Sequence, residues 1–161
     1  MIRCLPPLAG AVALSVALGL PAAPAMGADL VTAGDVERIV QIARDFGEAR
    51  VETAPTGEPL ILGTMEETGY AILFHGCVEG EDCSDIQFLA RWSAPFELDL
   101  EVFNRWNSAT RFATAWRDPD GDAVLEYAVN LQGGVTAESL ADSFDWWRLL
   151  IAGFVVEVLS E

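Results

Sequence analysis

The chain contains no lysine, a single histidine and only three cysteines. Every positive charge is an arginine, nine in all against 25 acids, for a net charge of −16 over 161 residues. Phosphate recognition needs a basic surface that releases counterions, so this composition argues against nucleic acid as a partner. There is no lysine to act as a base, no serine in a nucleophile-elbow context and no glycine pattern opening a helix after a strand to cradle phosphates. Long apolar runs are also scarce: beyond the first 28 residues the longest is Leu149 to Val156, too short to cross a bilayer. What is present is a chain 52% hydrophobic and 21% charged, a composition that excludes disorder and fits one compact domain.

Residues 1–28 read as an export signal. Arg3 precedes the apolar run Leu8 to Leu20, and Pro21 is followed by the small residues Ala22, Ala23, Ala25, Gly27 and Ala28. An uncleaved anchor is the rival reading, but Pro21 and Pro24 would break its helix where it should continue. The remaining domain, 29–161, loses one arginine and no acid, so −16 becomes −17. This places the protein in the periplasm or outside the cell, with no membrane contact after cleavage.

In such a compartment Cys77 and Cys83 are expected to form a disulfide across the loop between two strand-like runs. His75 lies two residues from Cys77, so on a strand the two would share a face, and a Cys-His nucleophile is the functional alternative. A bridged cysteine is no nucleophile, which leaves His75 as a sheet histidine. Asp118-Pro-Asp-Gly-Asp122 carries oxygens at alternating positions like the start of a calcium loop. Ala123 and Val129 stand where that loop needs Gly and Glu, so it reads as a hairpin turn. The acidic loop of Glu79, Glu81, Asp82 and Asp85 lacks a ligand spacing, so neither a metal nor a cofactor is implied. Seven acids thus gather in two turns, as a solvating rim around the core.

The pattern predicts an α+β domain, an antiparallel sheet with helices on one face, in the order α-β-β-β-β-α-β-β-α. Helix one spans Gly34 to Phe46, capped by Thr32 and stopped by Gly47. Strands follow at Arg50 to Thr53, Leu60 to Met65, Tyr70 to Cys77 and Asp85 to Trp92. Asp99 caps a short helix ending at Ser108, with Leu100, Phe103 and Trp106 inward. Arg111 to Arg117 and Ala123 to Leu131 form a hairpin. Thr136 caps a long helix, Glu138 to Glu157, whose core stripe is Leu140, Phe144, Trp147, Ile151, Phe154 and Val158. A second row, Trp146, Leu149, Val156 and Leu159, makes this helix the candidate surface for a protein or peptide client or for a homodimer.

Gly76-Cys77 with Cys83 after a short acidic loop, Gln87-Phe88-Leu89, Trp106-Asn107 before Arg111-Phe112, the Asp118 turn, and Gly133-Gly134-Val135 before an aromatic helix occur in an order that resembles the YbjN family of bacterial proteins. The likeness runs from Phe74 to Phe154. That family is labelled a sensory transduction regulator, a description that an export signal fits poorly. The resemblance implies a fold like that of type III secretion chaperones, a compact α/β sandwich that often pairs through its long helices or sheet edge, and it implies no catalytic residues. Trp106, Asn107 and Arg111, with Gly133 and Gly134, are then fold-determining. Trp106 serves as a core anchor, Asn107 satisfies carbonyls at its helix end, and Arg111 pairs with an acid of the sheet. The reading that follows is a non-enzymatic, chaperone-like binding module whose acidic field favours basic clients. The alternatives are an enzyme using His75 or an acid cluster, and an envelope factor weakly binding divalent cations.

Overall fold

A computed structural model describes residues 29–93 and 98–160; the export signal read over residues 1–28 lies outside them. The chain runs β1 (Leu30–Val31), α1 (Val36–Arg44), β2 (Glu48–Thr53), β3 (Pro59–Met65), β4 (Thr68–His75), β5 (Asp85–Trp92), α2 (Leu100–Ala109), β6 (Ala113–Arg117), β7 (Ala123–Asn130), β8 (Val135–Thr136) and α3 (Ala137–Glu157). β2 to β7 form one antiparallel sheet in the order β2-β3-β4-β5-β7-β6. The α+β class is therefore as the pattern predicts. Two short strands are added to the expected order: β1 and β8 pair through Leu30 with Thr136 and Val31 with Val135. Two residues are too few for a period to register.

Strand alternation divides the sheet into a buried face and a helix-free face. The buried face carries Ile61, Met65, Tyr70, Ile72, Phe74, Ile86, Phe88, Ala90, Ala113, Ala115 and Leu125. Against it lie the α3 stripe residues Leu140, Phe144, Trp147, Ile151, Phe154 and Val158, all buried as their 3.6-residue spacing requires. Each large side chain so covered contributes roughly 1.5–3 kcal/mol. Phe88 is the centre of this packing: its ring lies 4.9 Å from Phe144, 5.5 Å from Trp147 and 5.7 Å from Tyr127. Phe46, in the turn after α1, joins the same layer, stacked 5.4 Å from Phe144.

The ends of the helices differ in part from expectation. Thr136 caps α3, its hydroxyl accepting from Ser139 N at 3.1 Å, and Asp99 caps α2, accepting from Glu101 N at 3.1 Å. Thr32 does not cap α1. Asp35 is the cap position, and its carboxylate accepts from both the backbone N–H and the hydroxyl of Thr32, each at 2.8 Å. Those two bonds, with the backbone one the stronger influence, hold the Asp35 carboxyl below its ordinary pKa. Leu100, expected inward, is exposed, because the buried face of α2 is Val102, Phe103 and Trp106. At Gly47 a Cβ would stand 2.0 Å from the Thr64 carbonyl oxygen, so this residue is fixed by the close approach of β3.

Candidate functional site

Cys77 and Cys83 are joined by a disulfide. The loop between them turns on itself, Val78 N donating to Glu81 O at 2.7 Å and Glu81 N to Val78 O at 3.0 Å. His75 and Cys77 do not share a strand face. β4 ends at His75, and Gly76, at φ 65°, turns the chain out of the alternation. His75 instead sits on the helix-free face, where its Nε2 lies 2.9 Å from Gln87 Oε1, while Gln87 Nε2 donates to Glu126 Oε2 at 2.9 Å. With the thiol consumed and the imidazole engaged by a carboxamide, the two lack the nucleophile-base relationship that catalysis would need.

The Asp118 turn is a hairpin turn between β6 and β7, organised by the carboxylate of Asp118. Its Oδ1 accepts from the backbone N–H of Asp120 and of Asp122, both at 2.9 Å. The positive charge among these acids is Arg91 from β5, which pairs with Asp118, with Asp120 at 3.0 Å and with Asp122 at 2.8 Å. The bond to Asp120 is the largest cause of a guanidinium held even more firmly charged than usual. The oxygens that resembled a calcium loop are thus gathered around a side chain of the same sheet. Among the described residues no group of three or more His, Cys, Asp and Glu is placed to hold a metal ion.

The residues of the Trp106 motif are used differently from their expected roles, apart from Trp106 itself. It is buried with its ring 5.3 Å from Phe154. Asn107 does not serve the carbonyls at the end of α2: its carboxamide reaches across to β6 and bonds both backbone groups of Ala115. At the end of α2 Ser108 Oγ donates to Arg105 O at 2.8 Å and Thr110 N to Trp106 O at 2.9 Å, whereas the edge of a strand leaves unpaired groups that a carboxamide matches in geometry. Arg111 pairs with no acid among the described residues; its guanidinium lies 5.3 Å from the Phe112 ring centroid, an exposed cation–π contact. Gly133 and Gly134 both adopt positive φ, 80° and 84°, in the turn that leads to β8.

The second row of α3 is exposed at three of its four positions. Trp146 is 37% exposed, Leu149 53% and Val156 70%, whereas Leu159 is half-buried and packs on the core. The row therefore ends before Leu159, because the chain leaves α3 after Glu157. Phe112 extends the surface. It is 55% exposed and its ring meets Trp146 edge-on at 5.1 Å. Its φ of 74° is a strained setting for a bulky residue, one that carries its ring onto the helix. Arg111-Phe112 is visible in the sequence as a dipeptide, but nothing there couples it to a helix 34 positions later. Beyond Val156, an open groove of about 360 Å³ runs between α2 and α3, lined among others by Val102, Trp106 and Ala109.

Fold and site together define an acidic α+β domain that presents an exposed aromatic and aliphatic surface beside its last helix. The sequence of residues 35–159 matches the family model of YbjN, described as "Putative bacterial sensory transduction regulator", and the chain belongs to that family. No curated protein matches the chain. Among solved structures, one that it resembles is the crystal structure of the Yersinia pestis type III secretion chaperone SycH in complex with a stable fragment of YscM2. The identity is 14% and the TM-score 0.49, over 75% of this chain and 98% of that one.

Proposed function

We propose that this YbjN-family protein is a non-enzymatic binding module of the periplasm or the extracellular space, and that it holds a basic protein or peptide client on the surface formed by Phe112, Trp146, Leu149 and Val156. The observation that carries the reading is the exposure of four large apolar side chains on a chain of net charge −16. Large apolar groups gathered beside one another on an otherwise charged surface are characteristic of interaction sites. An acidic surround steers basic partners and repels acidic ones, in a way that salt weakens. The disulfide supports an oxidising compartment.

The test places a photo-crosslinking amino acid at Leu149 and, in a second chain, at Thr114 on the helix-free face, with irradiation in intact cells. The expected result is discrete adducts from Leu149 with basic exported polypeptides, lost when Phe112→Asp is added and absent from Thr114. No adduct at Leu149, equal adducts at both positions, or recovery of the protein in the cytoplasm would overturn the reading. So would a hydrolytic activity abolished by His75→Ala.

A further inference from the structure

The exposed row of α3 has a period. Asp142, Trp146, Leu149, Gly153 and Val156 follow one another at intervals of four, three, four and three residues, so they make one seam along the outside of the helix. α2 carries a row of the same spacing, Val102, Trp106 and Ala109, and all three line the groove between the two helices together with Val156. Gly153 stands within the seam, where a Cβ would come 3.3 Å from Trp106 Cη2. The seam is therefore notched between Leu149 and Val156, with the indole of Trp106 beneath the notch. Two helices with matching rows and a hole between them form a seat for a third helix in ridge-into-groove packing. An extended strand, whose side chains repeat every second residue, matches neither row.

Charge decides what kind of helix fits. Asp142 opens the seam and Glu157 follows its end, both exposed and without a basic partner among the described residues. Of the arginines nearby, Arg148 is held by Asp145 at 3.3 Å and Glu66 at 4.0 Å, Arg111 lies against the Phe112 ring, and Arg105 lines the α2 wall of the groove. Both ends of the seam thus offer an open carboxylate, as the flanking positions of a helix pair do when they select a basic partner. From Trp146 to Val156 the seam extends about 15 Å, the length of roughly three helical turns. We propose, resting on the client surface formed by Phe112, Trp146, Leu149 and Val156, that the client segment is a basic amphipathic α-helix of about three turns seated along α3 and the α2–α3 groove. Its apolar residues, three and four apart, lie on the seam, one of them in the notch at Gly153. Its lysines or arginines stand beside Asp142 and Glu157.

The experiment is fluorescence anisotropy on the protein as recovered from the cell, with circular dichroism to establish that each variant folds. The probes are two labelled peptides of identical leucine and lysine composition. One has leucine at three- and four-residue intervals and the other at every second position, which favour helix and strand respectively. The first is expected to bind in a salt-sensitive way and the second about tenfold more weakly, while a glutamate counterpart of the first is expected not to bind. Ala109→Arg fills the α2 wall of the groove with bulk and positive charge, leaves Leu149 untouched, and is expected to weaken the first peptide about tenfold. Equal binding of the two lysine peptides, or of the lysine and glutamate peptides, overturns the proposal. So does binding unaffected by Ala109→Arg, or no binding at all. Adducts at Leu149 in cells alongside any of these results would keep the client surface and remove only the helix, whereas the absence of such adducts removes the surface itself. A dimer of the protein alone that Ala109→Arg dissociates in sedimentation equilibrium would assign the groove to a second copy and overturn the proposal as well.

Discussion

The carboxamide of Asn107 occupies the place of a neighbouring strand for Ala115: Nδ2 donates to the Ala115 carbonyl at 2.9 Å and Oδ1 accepts from its N–H at 2.8 Å. One side chain from α2 thereby pins the helix to β6 and closes the middle of an edge that would otherwise be open. Asn107→Ala leaves both groups of Ala115 without a protein partner and is expected to cost about 1–3 kcal/mol in urea denaturation. Asn107→Asp keeps the acceptor and loses the donor, so it should fall between wild type and alanine. A cost below about 0.5 kcal/mol for both would show that water serves the edge equally well.

Gly133 and Gly134 have nearly the same φ, and only one of them is crowded. A Cβ at Gly133 would meet nothing within 4 Å, while one at Gly134 would stand 2.7 Å from Leu30 Cβ. Gly133→Ala is expected to cost about 1 kcal/mol, the strain of a left-handed alanine. Gly134→Ala adds the displacement of Leu30, whose pairing with Thr136 holds β1 to β8, and is expected to cost about 3 kcal/mol. Thermal unfolding of the two variants side by side measures the difference, and equal losses would mean that Leu30 gives way freely.

Those two glycines were legible as a motif, but the distinction between them was not, because Leu30 lies a hundred positions away. The same division runs through the molecule. The α3 stripe and the Asp118 turn could be read because their determinants are local: a period of 3.6 in one case, and residue types with fixed turn roles in the other. Thr32 and Asp35 are both capping residues, and which one accepts from the other is a matter of backbone geometry that composition does not carry. The role of Asn107 is tertiary, since its partner is a strand edge that exists only once β6 and β7 have paired. The exposed apolar surface beside α3 is half legible in the sequence. Trp146, Leu149 and Val156 follow from helical spacing, while Phe112 joins them through a backbone conformation that bulky residues seldom adopt.

Tyr70 gives the fold an alkaline limit. Its hydroxyl is buried without a hydrogen-bond partner among the described residues, and burial pushes its pKa from 10.0 to about 12. The unfolded chain releases this proton first as pH rises. The stability associated with the neutral phenol is therefore complete below pH 10.0 and is lost between there and about 12. Within that interval the loss approaches 1.4 kcal/mol per pH unit, as an order of magnitude. Tyr70→Phe removes both the titration and the unpaired hydroxyl. It is expected to equal or exceed wild-type stability by about 1 kcal/mol at neutral pH and to keep more of that stability at about pH 11. Urea titrations at the two pH values check it, and parallel losses in both proteins would place the alkaline limit elsewhere.

The disulfide closes a loop of sequence separation 6 at the end of the β4–β5 hairpin. So short a loop loses little entropy on closure, and its contribution is about 2 kcal/mol. The hairpin has its own closure beside the bridge, since Ser84 N donates to His75 O at 2.9 Å and His75 pairs with Asp85. Reduction should therefore loosen the acidic loop while β4 and β5 remain paired. Cys83 is buried in the core and Cys77 packs against it, so alanine rather than serine is the proper replacement. The Cys77→Ala/Cys83→Ala double variant is expected to lose about 2 kcal/mol, to become insensitive to reductant, and to show faster amide exchange confined to residues 77–83. Exchange that spreads into Ile72 or Phe88 would instead make the bridge a determinant of the sheet as a whole.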